Sequence, residues 1–300
     1  PISLGINYEH QENEFNDYSI QLLLPQKQST KGTEIAKADV NGDGLEDFFV
    51  GNASGAMAAL YIQQTDGTFS KTNEDLWKSE AKYEDANALF FDAEEDGDQD
   101  LYVVSAGYEL NENSSLLQDR LYLNDGLGNF TRKNNAIPTM LVSGKDINAG
   151  DYDSDGDLDL FVGGNVVPGK YPLAPKSFLL KNNNGVFVDD TKNSPSLVQV
   201  GMVSESIFTD YDNDNDLDLL MVGEWMAPTL FNNNNGVFEK NEATSGFENT
   251  EGWWFSISAG DFDNDGDEDF VVGNIGKNNK FQPKKDKPIY IYGKDFDDNG

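Results

Sequence analysis

The 300-residue chain contains no cysteine, a single histidine and only two arginines. The absence of cysteine excludes disulfides and thiolate metal sites. Because His10 is the only histidine, cysteine–histidine nucleophile pairs and histidine-rich zinc sites are excluded within these residues, and a serine triad would depend on His10 alone. We expect His10 to be a surface residue in a polar N-terminal strand.

Positive charge is also scarce. The chain has 21 Lys and Arg against 54 Asp and Glu, a formal net charge of −33, and no basic cluster beyond Lys284, Lys285 and Lys287. This balance argues against nucleic acid and anionic membranes as partners. No apolar run is long enough for a transmembrane helix, so direct membrane insertion is not expected.

What the sequence does have is a nine-residue acidic loop that occurs five times at spacings of 51 to 59 residues. Side-chain oxygens stand at positions 1, 3, 5 and 9, and position 7 would offer its backbone carbonyl. Hard cations such as Ca²⁺ take six to eight oxygens in this manner. We therefore predict about five structural Ca²⁺ sites. Their ligands are Asp39, Asn41, Asp43, Leu45 and Asp47; Asp92, Glu94, Asp96, Asp98 and Asp100; Asp151, Asp153, Asp155, Asp157 and Asp159; Asp210, Asp212, Asp214, Asp216 and Asp218; and Asp261, Asp263, Asp265, Asp267 and Asp269.

The sixth position of each loop is Gly, or Asn215 in the fourth loop, which suits a turn with positive φ. Position 12 is Val or Met instead of the bidentate Glu of a helix–loop–helix site. An apolar run bounded by Gly follows each loop and predicts a buried strand. The ion is therefore expected in a β-hairpin. One such loop alone could equally be a solvated acidic turn, but five in register argue against that interpretation.

A second motif is phased with the first. Strand–turn–strand patterns rich in Asn and Gly, such as LYLNDGLGNF, reach their Phe 21 to 23 residues before the next acidic loop. Each unit then has four strands: one before the acidic loop, one after it, and two in the Asn/Gly hairpin. Units of this size predict an all-β fold, a β-propeller of four-stranded antiparallel blades that bury their faces against one another.

These motifs resemble a known family. The DxDxDGxxD loops, the apolar strands ending in VG or GG, and the LYxNxGxGxF hairpins are similar to the FG-GAP/VCBS repeats of integrin α-subunit propellers and bacterial surface proteins. The stretch from NYEHQENEF to KADVNGDGLEDFFVGN resembles large secreted bacterial VCBS-repeat proteins, some with an ASPIC/UnbV-type region. The resemblance implies a propeller with calcium sites and says little about the ligand.

We expect one propeller over residues 1–300. It comprises N-terminal strands leading into the first blade (1–33), the repeats (34–294) and a truncated sixth calcium loop (295–300) with Asp295, Asp297 and Asn299 as ligands. This last loop predicts that the chain is part of a longer protein, whose other domains would be partners.

Antiparallel connections place the acidic loops and Asn/Gly hairpins at one end of the blades and the longer, variable connections at the other. Variable loops on a rigid scaffold often carry binding sites. Aromatic residues concentrate at that second end, although a Trp in a propeller is also a common packing residue between blades. The candidates for ligand binding are Trp225, Trp253, Trp254, Tyr108 and Tyr171.

Together these features predict a calcium-stabilised recognition or adhesion module for a glycan or protein, in an extracellular, cell-surface or periplasmic setting where millimolar calcium fills such sites. An alternative is a polysaccharide-cleaving enzyme that uses a carboxylate pair. The acidic residues near the variable end are Glu80, Asp119, Asp146, Glu205, Glu224 and Glu251.

Overall fold

The chain folds into a series of antiparallel β-sheets. The structure is a computed structural model, and it describes residues 4–242, 246–284 and 286–292. The predicted sixth calcium loop, with Asp295, Asp297 and Asn299, lies outside the described residues.

Three complete sheets follow one another along the chain, each with its strands in sequential order. The first contains β1 (Ile35–Ala38), β2 (Asp47–Val50), β3 (Ala59–Gln63) and β4 (Phe69–Thr72). The second contains β5 (Glu84–Phe91), β6 (Asp100–Ala106), β7 (Arg120–Leu123) and β8 (Thr131–Arg132). The third contains β9 (Ser143–Gly150), β10 (Asp159–Val166), β11 (Phe178–Lys181) and β12 (Val188–Asp189).

The fourth and fifth units share one sheet. The fourth has β13 (Met202–Thr209), β14 (Asp218–Met226), β15 (Thr229–Asn233) and β16 (Phe238–Lys240), and the fifth contributes β17 (Gly252–Gly260) and β18 (Asp269–Asn274). The end of β14 pairs with the start of β17 through Glu224↔Trp253 and Met226↔Gly252. Trp253 and Trp254 therefore lie in a strand.

Every acidic loop joins the first two strands of its unit, and every Asn/Gly turn joins the third and fourth strands of a complete unit. Both predictions are confirmed. The second strands are the apolar runs, and β10 is buried along its whole length. In β18 the residues are only partly covered, because the described part of the fifth unit has no third and fourth strands to pack on it.

The hydrophobic core lies between consecutive sheets. Three hydrophobic clusters each contain residues of two consecutive sheets. Phe49 and Leu101 belong to the cluster of the first and second sheets, Tyr102 and Leu160 to that of the second and third, and Phe161 and Leu219 to that of the third and fourth. The first strands β1, β5, β9, β13 and β17 contact one another in the same order. Each sheet thus buries its faces against its neighbours, as expected of blades.

Residues 4–34 contain no strand, so the prediction of N-terminal strands is wrong. This N-terminal segment contains only one turn of 3₁₀ helix, Asp17–Ser19. Asp17 is buried, and it accepts hydrogen bonds from the backbone and hydroxyl of Ser29, which closes the segment into a loop. His10 lies in this irregular stretch, where its ring contacts Tyr8 and Glu12.

One helix, α1 (Glu74–Glu80), connects the first two sheets. Its Trp77 is buried against Phe49 on one side and Tyr122 on the other. This tryptophan therefore packs between blades.

Candidate metal centres and ligand face

The acidic loops are shaped by their own first residue. In the third loop the Asp151 carboxylate accepts hydrogen bonds from the backbone N–H groups of Asp155 and Gly156, both at 3.1 Å. The other four loops repeat these two bonds. At the sixth position φ is positive in all five loops, from 73° at Asn215 to 104° at Gly156. The turn that Gly and Asn predict is therefore present.

The ninth residue anchors each loop to its sheet. It is the first residue of the second strand, and in the first four loops it is buried. In the third loop Asp159 Oδ1 accepts a 2.8 Å hydrogen bond from the backbone N–H of Asn182. The same bond recurs in the first, second and fourth units. The other oxygen accepts from the backbone N–H of Val40 or Ala93 in the first two loops. In the third and fourth loops it has no partner among the described residues.

Carboxylates converge within the loops. In three of them, one oxygen from each of three Asp residues lies within 4.8 Å of the other two. These groups are Asp151, Asp153 and Asp159; Asp210, Asp212 and Asp214; and Asp261, Asp263 and Asp265. Within the described residues, buried oxygens of Asp153, Asp159 and Asp218 have no hydrogen-bond partner. Orphaned, buried, oxygen-only donors fit a hard divalent cation such as Ca²⁺.

The converging carboxylates of each loop repel one another. Burial, together with the charges of Asp96 and Asp92, raises the pKa of Asp98 to about 6. Burial and the neighbouring loop carboxylates likewise raise the pKa of Asp159 to about 7 and that of Asp157 to about 6. A bound cation would favour the charged form of each group.

In two loops a lysine of the same unit contacts a predicted ligand residue. Lys181 Nζ contacts Asp153 and lies 2.9 Å from Asp155, and both contacts raise the lysine pKa above its usual range. Lys133 Nζ lies 2.9 Å from Glu94 in the second loop. These ammonium groups offset part of the loop charge, a feature that the sequence analysis missed.

A buried asparagine connects the acidic loops of neighbouring units. Asn182 Nδ2 donates to the backbone carbonyl of Leu158 in its own loop, at 3.1 Å, and to that of Ala93 in the preceding loop, at 2.9 Å. Its Oδ1 accepts from the N–H of Gly185. Asn124 and Asn233 make the same two-loop connection in the second and fourth units.

The glycine of each of these hairpins also lies close to the acidic loop of the preceding unit. A Cβ on Gly185 would lie 3.1 Å from Glu94 Cβ, and one on Gly236 would lie 3.3 Å from Asp153 Cβ. Both glycines also have positive φ. The third residue of one acidic loop is therefore packed against the hairpin of the next unit, so the loops and the contacts between units are one structure. The recurrent Asn and Gly of the hairpins were the available sequence signal.

At the opposite end, three of the five aromatic candidates converge. Trp225 and Trp253 meet edge to face with ring centroids 5.1 Å apart. Trp225 Nε1 donates to the Tyr171 hydroxyl at 2.5 Å, and this hydroxyl donates to Glu224 at 2.9 Å. These three aromatic side chains line a cavity of about 570 Å³, here called the aromatic cavity, together with Leu22 and Phe281.

The other two aromatic candidates lie elsewhere. Tyr108 is buried beside Leu24, and its hydroxyl donates to Gln21. Trp254 packs against the core between the fourth and fifth units and donates its Nε1 to the Thr250 carbonyl at 2.9 Å. Both therefore act in packing, and neither lines the aromatic cavity.

Comparison with known proteins matches the acidic loops to one family. The model of the FG-GAP-like repeat matches residues 39–103, 92–162 and 210–272, which together exceed half of the chain and contain all five loops. The chain belongs to the FG-GAP-like repeat family. The expected ASPIC/UnbV-type region stays a prediction.

Solved structures that resemble this FG-GAP-repeat chain include the V. cholerae biofilm matrix protein Bap1. The two share 18% sequence identity, with a TM-score of 0.39 over 79% of this chain and 34% of that one. The chain thus spans about a third of Bap1. No curated protein matches the chain.

The carboxylates considered for catalysis are dispersed over the FG-GAP units. Glu80 pairs with Arg132 at 2.7 Å, and Asp119 is buried against Tyr102 and Ser105. Glu224 is buried between Lys31 and Tyr171, and Glu251 is exposed. Two of the six, Asp146 and Glu205, line one cavity of about 270 Å³ between the first strands.

Among the described residues, no helix of this FG-GAP-repeat chain has the length and apolar character needed to cross a membrane.

Proposed function

We propose that the chain is an extracellular recognition module whose acidic loops bind Ca²⁺ for stability and whose opposite end binds a saccharide or protein. The donor sets support the first part. Positions 1, 3, 5 and 9 supply side-chain oxygens and position 7 a carbonyl, and the buried oxygens of Asp153, Asp159 and Asp218 have no partner among the described residues. Bound calcium would neutralise carboxylates that otherwise repel one another.

The aromatic cavity is the observation that carries the binding proposal. Indole and phenol rings provide large, rigid surfaces that stack on sugar or side-chain faces and lose little entropy on binding. Trp225 has a φ of 62°, a conformation that bulky residues rarely adopt. Such strain costs roughly 1–3 kcal/mol and commonly marks functional positions. The strained backbone at Trp225 therefore supports ligand binding at the side of the cavity that Trp225 and Trp253 line.

The test is binding of a panel of oligosaccharides and peptides to the full chain in calcium. Trp225→Ala and Trp253→Ala should each weaken the interaction about tenfold or more, as buried aromatic anchors do. Phe262→Ala is the matched control, because Phe262 is an exposed aromatic in the fifth acidic loop. Calcium content and circular dichroism should be unchanged in all three variants. If Phe262→Ala weakened binding and the Trp variants did not, the ligand would lie at the calcium end.

Polysaccharide cleavage is the second candidate. Burial, then the charges of Glu205 and Glu34, raises the pKa of Asp146 to about 7, as suits a general acid, and Glu205 lines the same cavity. Depletion of polysaccharide substrates measures this directly. Cleavage that is lost in Asp146→Asn would support the enzyme, whereas binding without any product would refute it.

A further inference from the structure

A second cavity lies beside the aromatic cavity at the same end of the units. This cavity, here called the lysine cavity, has a volume of about 420 Å³. It lies between the N-terminal segment and the ends of strands β9, β10, β13 and β17. Its lining includes Lys27, Lys31, Lys145 and Phe255. In a chain of net charge −33, the lining of this cavity, among the described residues, holds three lysines and no acidic side chain.

The lysines retain donor capacity. Lys31 Nζ donates to Asn165 at 2.6 Å and to Glu224 at 2.8 Å, which leaves one of its three N–H bonds. Lys145 Nζ donates to Glu34 at 2.7 Å and keeps two more. Lys27 is exposed, and no ion pair of Lys27 occurs among the described residues.

The positive charges also repel each other. Burial lowers the pKa of Lys31, and the charge of Lys145 lowers it further, while the Glu224 carboxylate opposes both. A bound anion between the two ammonium groups would relieve this repulsion. Phe255, which is 36% exposed, offers an apolar surface in the same cavity.

Glu224 links the two cavities through hydrogen bonds to residues that line them. One of its oxygens contacts Lys31 and Gln26, which line the lysine cavity, and the other accepts from Tyr171, which lines the aromatic cavity. A ligand that spans both cavities would meet aromatic rings in one and ammonium groups in the other. A saccharide that carries an acid group has both complementary features.

We propose that the lysine cavity binds the carboxylate of an acidic saccharide whose neighbouring ring occupies the aromatic cavity. This inference rests on the proposed function, since it names the ligand class of the same surface. Lys27 and Lys145 supply the charge that distinguishes an acidic from a neutral saccharide. Phe255 covers one face of the sugar ring that carries the carboxylate. Lys31 is held in place by Glu224 and Asn165.

The experiment uses trigalacturonate and its methyl ester, which differ in charge and share the same sugar, with the full chain in calcium. Calorimetry should show the acid binding at least about fivefold more tightly than the ester. Lys27→Gln and Lys145→Gln should each weaken acid binding roughly three- to tenfold and leave ester binding unchanged. Lys170→Gln is the matched control, because Lys170 pairs with Glu112 on an exposed loop.

The outcomes separate the two proposals. Equal binding of acid and ester, with both weakened in Trp253→Ala, would overturn the lysine cavity and leave the recognition surface intact. Loss of acid preference in the control as well as in the lysine variants would also overturn it. No binding of either saccharide, and none of inorganic sulfate as a simple anion probe, would overturn the acidic ligand class, and the wider panel would then decide on the aromatic cavity.

Discussion

At the scale of single residues, one buried asparagine per unit links two acidic loops. Asn182 satisfies carbonyl groups of Leu158 and Ala93, which come from different units, and its own carbonyl accepts from Gly185. Buried carbonyls left without a donor cost free energy, typically about 1–3 kcal/mol each. The asparagine therefore stabilises the contact between units as well as the hairpin that contains it.

We predict that Asn182→Ala lowers the free energy of unfolding by about 2–4 kcal/mol, because the buried Ala93 carbonyl and the partly buried Leu158 carbonyl lose their donor. Urea unfolding followed by circular dichroism measures the change. Asn183→Ala is the control, since Asn183 belongs to the same turn and its side chain is exposed. Equal effects of the two substitutions would show that the hydrogen bonds between the loops contribute nothing to the free energy of unfolding.

A buried carboxyl away from the loops makes stability depend on pH. Burial raises the pKa of Asp119 from its ordinary 3.8 to about 7, despite hydrogen bonds from Ser105 and Tyr102. Because the folded pKa is the higher one, this group's stabilising contribution is complete below its unfolded pKa and is lost as the pH rises through about 7.

Asp119→Asn should therefore gain stability relative to the wild type between about pH 4.5 and about pH 7.5, by an amount on the order of 1–3 kcal/mol. Urea unfolding of both proteins at the two pH values, in saturating calcium, gives the difference. The calcium loops titrate equally in both proteins and cancel. A difference that does not vary with pH would contradict the raised pKa.

At the scale of elements, the acidic loops and Asn/Gly hairpins follow from the sequence because each depends on local spacing and on residues that permit positive φ. The conformation of the N-terminal segment does not follow from the sequence, because its contacts are with distant residues. Gln21 contacts Tyr171, 150 residues away, and Lys31 contacts Glu224, 193 residues away, so no local pattern marks these pairs. The aromatic candidates lie at the strand ends opposite the loops, and packing decides which of them line a cavity.

Loop charge predicts an order of calcium affinity. The first loop has three side-chain carboxylates among its ligands, because Asn41 is neutral, whereas each other loop has four at the corresponding positions. Lys181 offsets one carboxylate in the third loop. We expect the Asp39 loop to release calcium before the Asp210 loop, since ligand charge is a main determinant of affinity. Crystallography at stepwise calcium concentrations measures the order, and an occupied Asp39 loop beside a vacant Asp210 loop would contradict it.

Replacing the competing ammonium group gives a sharper test of the same idea. Lys181→Met should raise the calcium affinity of the third loop about tenfold, on the basis of removing one close positive charge. Lys71→Met is the control, because Lys71 lies on the outer strand of the first unit, beside the Tyr61 ring. Calorimetric titration measures the affinities. Unchanged affinity in Lys181→Met would show that the lysine moves away from the loop without cost.

At the scale of the whole molecule, stability resides between units. The hydrophobic clusters lie between consecutive sheets, and the asparagine and glycine contacts join one acidic loop to the next hairpin. Loss of cations from the loops would therefore loosen the contacts between units, in addition to the hairpins themselves. Unfolding is expected to spread through the array, because each unit contacts its neighbours.

The most direct measurement of this account is the melting temperature of the chain in millimolar calcium and in excess EDTA. A site at 100-fold saturation contributes roughly 2.7 kcal/mol, so emptying several sites should lower the melting temperature by about 10 °C or more. Returning calcium should restore the original curve. A melting curve that is the same in calcium and in EDTA would contradict structural calcium in the acidic loops.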